Sequence, residues 1–381
     1  VNYILGLGAA IFLPLVMIIL GLAMGMKLKK AIAAGLTLGI AFTGMNVILG
    51  FMFDAIGPAA TALVEHTGLH LSPIAAIAWA WPYALILFPV QIGINLLMLA
   101  LKWTNCLNVD LWNVWGKIFV AAMVMGLTGS LVFGLIAAGI QIVFELINGD
   151  LIQKQLYRIC KIPGVTCTHP MMLQAPLLAL INRALDFVPG LNAINMNAAD
   201  MRKKLGLFGE NSVMGFLIGA LIAVMGGYDL KGVLTTAMQV ATSLVLFPMV
   251  AKLFMQALAP IADAAGAFMK ARFKGREFYV GLDWPFLAGS SELWVTAIIL
   301  VPFELLWAVG LSYFDMNNVI PLASVINVVV AVPALIVTGG NLIRMIIICI
   351  IATPTYLWVA TSFAGMLTDM AAQTGTLQVN A

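Results

Sequence analysis

Three carboxylates, Asp283, Glu292 and Glu304, fall within the stretch GLDWPFLAGSSELWVTAIILVPFE, residues 281–304, which also carries a Gly289-Ser290-Ser291 turn. Only 9% of the chain is charged, so acids beside an apolar run of helix length need a reason. A carboxylate accepts hydrogen bonds from neighbouring hydroxyls, which is what a vicinal polyol offers. Asp283 either does this, or caps the hairpin helix or pairs with Arg276. Ser290 and Ser291 supply hydroxyls and free backbone N–H groups at a turn, or simply good turn chemistry. Glu292 follows the turn at a helix start, where the macrodipole favours an acid. Glu304 lies deeper, two residues after Pro302, and serves either a ligand or an interhelical hydrogen bond.

His169 stands in VTCTHPMMLQAP, a Thr-His-Pro break at the entry to an apolar segment. A histidine at membrane depth is a functional candidate, with a satisfied core histidine as the alternative. Trp79 and Trp81 sit beside Pro82 and can stack on sugar C–H faces or anchor at a membrane interface. Asn46 is a lone amide in a long apolar segment, and Gln91 follows Pro89 as Glu304 follows Pro302. Arg344, at the start of the last apolar segment, is expected to snorkel. The sequence offers no metal cluster, phosphate-cradling glycine loop or nucleophile–base pair, so neither a cofactor nor bond-making chemistry of its own is expected.

The elements that position these residues are membrane spans. The 381 residues are 62% hydrophobic with a mean hydropathy of +1.05, whereas soluble chains carry roughly 25% charged residues. Crossing a hydrocarbon core takes about 20 apolar residues, and such runs recur at about 4–24, 30–62, 83–103, 114–146, 170–185, 212–227, 233–256, 295–312, 321–338 and 343–363. The runs are continuous rather than alternating, which excludes a β-barrel. The fold class is therefore all-α, a polytopic membrane protein of about ten transmembrane helices. The net charge of +3 is spread over loops, unlike a nucleic-acid patch, and the four cysteines lack metal or redox spacing. Tyr3–Met24 reads as a retained span rather than a signal peptide, and a start at Val1 leaves the extreme N-terminus unaccounted for.

Segments 70–82, 160–170 and 278–292 combine Gly, Pro or Ser with aromatic or ionisable residues and are too short or too polar to cross. Non-helical backbone is tolerated at membrane depth only where protein or a water-filled cavity satisfies it, so they read as re-entrant hairpins or broken helices facing a cavity.

A faint repeat links the two halves. Leu28-Lys29, Ala55, Pro58, Ala60 and Ala62 match Leu230-Lys231, Ala257, Pro260, Ala262 and Ala264; Trp81, Leu87, Pro89 and Gln91 match Trp294, Leu300, Pro302 and Glu304; Asn108-Val109 and Thr128-Gly129 match Asn318-Val319 and Thr338-Gly339. Residues 1–190 and 212–381 then form two repeats joined by a cytoplasmic linker, 191–211. Five crossings per half make the repeats inverted. The counterpart of 160–185 falls beyond Ala381, so the second repeat is expected to lack its final element. By the positive-inside rule, the face with Lys27, Lys29, Lys30, Lys102, Arg202, Lys203, Lys204, the 270–276 cluster and Arg344 is cytoplasmic, and Lys154, Arg158, Lys161 and Lys231 lie opposite.

The runs GFMFDAIGPAATAL, NVDLWNVW, FVPGLNAI, GLFGENSVMGF, GGYDLKGVL, REFYVGLD and GGNLIRMII, in this order from the first span to beyond residue 370, closely resemble the membrane (IIC) component of the galactitol-type bacterial phosphotransferase system, which belongs with the ascorbate permeases. The resemblance implies a homodimeric, elevator-type carrier of the inner membrane, with a scaffold domain and a mobile core that moves the sugar alcohol. A separate IIB protein with a phosphocysteine, fed by IIA, HPr and phosphoenolpyruvate, would phosphorylate the sugar. By position, Asp283 falls where the ascorbate branch has a substrate-contacting aspartate, His169 at or beside its binding histidine, Asn46 in its polar site on the second span and Trp81 in its first hairpin.

The chain departs from the family at Gly116, where galactitol permeases typically carry histidine, at CTHP instead of a Pro-His-Gly arrangement, and at WPFLAGSSE after GLD. All three lie in the presumed site, which widens the expected substrate from galactitol to another hexitol or pentitol. The competing reading from physics alone is an ion-coupled secondary transporter using Asp283, Glu292 or Glu304 as its proton or sodium site.

Overall fold

The computed structural model describes residues 9–66, 83–108, 114–197, 200, 203, 207, 210–272, 277–319 and 326–373. Apolar segments punctuated by glycine and proline produce helices α1 Ala9–Ala23, α2 Leu28–His66, α3 Leu87–Ala100, α4 Val114–Thr128, α5 Leu131–Cys160, α6 Ala175–Ala184, α7 Asn211–Met225, α8 Leu230–Arg272, α9 Ser291–Ser312, α10 Ile326–Thr338 and α11 Leu342–Gln373. Among the described residues, five stretches are long and apolar enough to cross a membrane: Leu28–Ala59, Leu131–Cys160, Leu230–Ile261, Ser291–Ser312 and Leu342–Leu367. The chain is thus a mostly helical membrane protein.

Helix α2 packs along α1, α7 and α8, while α4 packs on α5 and α9–α11 pack on one another. Gly215 and Gly219, one turn apart on α7, let its backbone approach α8 closely. A Cβ at either would come within 2.7 Å of Ala241 Cα or 2.9 Å of Ala237 Cα. Small residues at this spacing are the usual device for helix contact in a membrane, where apolar burial alone gives no preference for protein over lipid.

The expected span at 114–146 is in fact two antiparallel helices. Gly129, at φ +68°, closes α4 in the left-handed region that a glycine adopts without strain, and α5 starts two residues later. The expected crossing at 170–185 is also corrected. Its helical part α6 has 10 residues, a rise of about 15 Å, half of a hydrocarbon core of about 30 Å.

Segments 160–170 and 278–292 do break from helix, as strands. Strands β1 Cys106–Asn108, β2 Val165–Cys167 and β3 Tyr279–Leu282 form a parallel sheet in the order β1-β3-β2. Leu107 and Val165 both lie opposite Val280, and Asn108 and Thr166 opposite Gly281. Tyr279 N donates to Asn105 O and Val280 N to Gly164 O at 2.8 Å, so the non-helical backbone is satisfied by protein. Gly281 is required at the centre, because a Cβ there would meet Thr168 Cγ2 at 2.6 Å and Cys106 Sγ at 2.9 Å. The segment 70–82 lies outside the described residues.

Parallel strands begin at the same end of the molecule. Lys102 (φ 64°) and Lys161 (φ 57°) each turn the chain four residues before a strand, and α8 ends at Arg272 shortly before the third. Lys102 and Lys161 therefore both lead into the same end of the sheet, as do the residues before β3. Arg344 does not snorkel. It is 9% exposed and donates to Asn182 O at 3.1 Å, to Asn182 Oδ1 at 2.8 Å and to Asp186 Oδ1 at 2.7 Å, with Asn192 Oδ1 in contact as well. This arginine binds the start of α11 to the end of α6 and the segment that follows it.

Candidate functional site

The parallel sheet positions the two foremost candidates. His169 and Asp283 each stand just beyond a strand and cap a 3-10 helix, Pro170–Gln174 and Trp284–Gly289 respectively. Thr168 N donates to Leu282 O at 3.1 Å and carries the pairing one step past the strands. Each side chain then bonds to its own helix start: Met171 N donates to His169 Nδ1 at 3.1 Å and Trp284 N donates to Asp283 Oδ1 at 2.7 Å. With Nδ1 accepting, the neutral imidazole carries its proton on Nε2. That atom lies 4.0 Å from Asp283 Oδ1, with side-chain exposures of 10% and 13%. The separation exceeds a direct hydrogen bond and lets one hydroxyl touch both groups.

A polar frame holds this pair. Thr168 Oγ1 donates to Asn108 Oδ1 at 3.1 Å, Asn108 N donates to Asn95 Oδ1 at 2.9 Å, and Asn95 Nδ2 donates to Cys106 O at 2.8 Å. Asn148 Nδ2 donates to Met172 O at 2.7 Å, fixing the 3-10 helix after His169 to α5. The Trp115 ring centre lies 6.2 Å from that of His169. Lys117 on α4 forms a fully buried ion pair with Glu145 on α5, and Gln141 Nε2 donates to Glu145 Oε1 at 2.8 Å.

Lys117 and Glu145 are the residues that the sequence reading passed over, because both lie inside the run taken as one apolar span. Opposite charges 28 positions apart point nowhere in a single helix. Folded back at Gly129, the same run places them side by side. The usable signal was the presence of any charge within an intramembrane segment.

Gly116 sits between Trp115 and Lys117 and faces Pro170. A Cβ there would lie 2.6 Å from Pro170 Cγ and 3.6 Å from Gln141 Nε2. Gly116→Ala is expected to push Pro170 and the adjacent His169 away and to destabilise the protein by about 1–3 kcal/mol, the usual range for overpacking. A fall in the thermal unfolding midpoint in detergent checks this; an unchanged midpoint would mean that the proline gives way freely.

Three of the remaining candidates stand apart from His169 and Asp283. Ser290, Ser291 and Glu292 lie at the far end of the 3-10 helix Trp284–Gly289. There Ser290 Oγ donates to Glu292 Oε2 at 2.7 Å, and Asn211 Nδ2 donates to Ser291 Oγ at 3.2 Å. Trp294 is buried, stacks on Phe247 at 3.5 Å and donates from Nε1 to Ala288 O at 2.6 Å. Glu304 is fully buried in α9, and neither carboxyl oxygen has a hydrogen-bond partner among the described residues. Gln91 is buried on α3 and Asn46 is exposed on α2. Trp81 lies outside the described residues.

Comparison with known proteins follows this geometry. The family model EIIC-GAT, described as "PTS system sugar-specific permease component", matches residues 3–380. The chain is 34% identical over 386 residues to the "PTS system galactitol-specific EIIC component" of Escherichia coli (strain K12), covering 99% of this chain and 85% of that protein. The protein of the same description from Escherichia coli O157:H7 matches equally. A "Putative permease IIC component" of Escherichia coli (strain K12) is 30% identical over 383 residues, covering 98% of this chain and 87% of that protein.

Proposed function

Because this chain belongs to the EIIC-GAT family of sugar-specific permease components of the phosphotransferase system, we propose that it carries a sugar alcohol, galactitol or a related polyol, into the cell for phosphorylation by a IIB partner. The observation that carries the reading is the approach of His169 Nε2 to within 4.0 Å of Asp283 Oδ1. A donor and an acceptor at that separation suit the hydroxyls of a polyol. Asp283 and His169 are the first choice of ligands. Asn46, Trp81, Gln91, Glu304, Ser290, Ser291 and Glu292 act in the same transport cycle, at the site or along the path from it. The chain supplies no phosphoryl-transfer residue; the phosphoryl group comes from IIB, itself charged through IIA and HPr.

The transport step is an elevator movement within a homodimer of the bacterial inner membrane. In this reading α1, α2, α7 and α8, which pack together, form the scaffold, and the sheet with the remaining helices forms the moving core. Two inverted repeats, 1–190 and 212–381 around the linker 191–211, account for the order of elements. A short helix and a long one, α1 and α2, recur as α7 and α8. Gly129 (φ +68°) and Gly339 (φ +66°) end α4 and α10 in the same conformation. With α4 and α5 turning back on each other and α6 too short to cross, the number of crossings before the linker is unchanged. Lys154, Arg158 and Lys161 then join the cytoplasmic face, which strengthens the positive-inside bias.

The experiment is uptake by proteoliposomes loaded with or without phosphorylated IIB. Labelled galactitol is expected to accumulate as its phosphate only when phosphorylated IIB is inside. Uptake of free galactitol that follows a proton or sodium gradient and ignores IIB would establish the ion-coupled carrier instead.

A further inference from the structure

A cavity walled by apolar and charged side chains lies at the other end of the 3-10 helix that Asp283 caps. Its volume is about 700 Å³, and its lining includes Arg158, Lys161, Lys252, Ser290, Ser291 and Glu292. Phe286 and Leu287 form part of its wall, and neither His169 nor Asp283 lines it. In this conformation it is therefore distinct from the pair that binds the polyol. Its size suits a small molecule.

We infer that this cavity receives the phosphate ester of the transported polyol, a reading that rests on the function proposed above. Its charge is the reason. Three cations meet one carboxylate, and Glu292 Oε2 already accepts from Ser290 Oγ. Among the described residues none of the three cations forms an ion pair, and Arg158 Nη1 donates to the neutral Gln155 Oε1 at 3.1 Å. A free polyol is neutral and gains little from three positive charges. A phosphate monoester carries nearly two negative charges and three acceptor oxygens, for which arginine and lysine are the usual ligands. Arg158 and Lys161 stand at the end of the molecule where the strands begin. A phosphorylated product leaving toward that end passes cations that its unphosphorylated precursor does not need.

The cavity contains its own probe. Cys160 lines it and is partly exposed, whereas Cys106, Cys167 and Cys349 are buried. In the purified full chain, the rate at which N-ethylmaleimide modifies Cys160 is followed by mass spectrometry. Galactitol monophosphate is expected to slow modification several-fold, and free galactitol to leave it unchanged. The variants Arg158→Gln and Lys252→Gln should each lose the protection while keeping calorimetric affinity for galactitol. An unprotected wild-type Cys160 overturns the inference, and so does equal protection by free galactitol. Protection by the phosphate in a carrier that binds no polyol would sustain the anion site and sink the proposed function, so the two failures are distinguishable.

Discussion

Replacing Asp283 by asparagine is expected to weaken polyol binding roughly ten- to a hundredfold, the equivalent of one lost charge-assisted hydrogen bond of about 1.5–3 kcal/mol. The same change should leave the fold intact. Trp284 N donates to Asp283 Oδ1 at 2.7 Å, and the amide oxygen of asparagine accepts that bond equally well. Alanine does not, so Asp283→Ala should lose affinity and also stability, by about 1 kcal/mol if the cap behaves as those of α-helices do. The two variants separate the carboxylate's charge from its capping role. Calorimetric titration with galactitol, beside thermal unfolding in detergent, checks both. Unchanged affinity in Asp283→Asn would remove Asp283 from the site.

The largest effect on stability is expected at Lys117. This side chain and Glu145 are 0% and 1% exposed and form an ion pair, with Gln141 completing the carboxylate. Lys117→Met strands a buried carboxylate and should cost about 3–5 kcal/mol, whereas replacing both partners by apolar residues of similar size is often neutral or stabilising. The double variant Lys117→Met/Glu145→Leu should therefore unfold at a temperature near that of the wild type, well above either single variant. If the double variant is as unstable as Lys117→Met, the pair is not an isolated unit and Lys117 has other essential partners. Polyol affinity in the double variant adds a second readout. The pair lies close to Trp115, Gly116 and the His169 helix, so loss of affinity at restored stability would give it a part in positioning the site.

The sequence made the apolar helices legible because the membrane demands long uninterrupted runs, and most expected spans fall on observed helices. It also marked 160–170 and 278–292 as breaks between spans, though as re-entrant hairpins or broken helices rather than strands, and singled out His169 and Asp283, which the fold brings together from segments far apart in the chain. What it could not supply was pairing. Strands of three or four residues, Cys106–Asn108, Val165–Cys167 and Tyr279–Leu282, carry no usable period, and their partners are fixed only by tertiary packing. The break at Gly129 was within reach. Thr128-Gly129 matches Thr338-Gly339, and the expected spans break after Gly339 but not after Gly129. Hydropathy alone passes smoothly through a glycine turn between two apolar helices, and so Lys117 and Glu145 stayed hidden in a run that looked continuous.

The order of the sheet also bears on how the chain is made. β1 and β2 emerge from the ribosome first, yet they do not pair with each other; both hydrogen-bond to β3, which is synthesised last and slides between them. At about 5–20 residues per second, the two early strands wait on the order of ten seconds for their common partner, with the backbone groups that face β3 left unpaired where lipid offers no substitute. The first half of the protein should then be a poor substrate for independent insertion, and a gene split in the linker should yield carrier only when both halves are produced in the same cell.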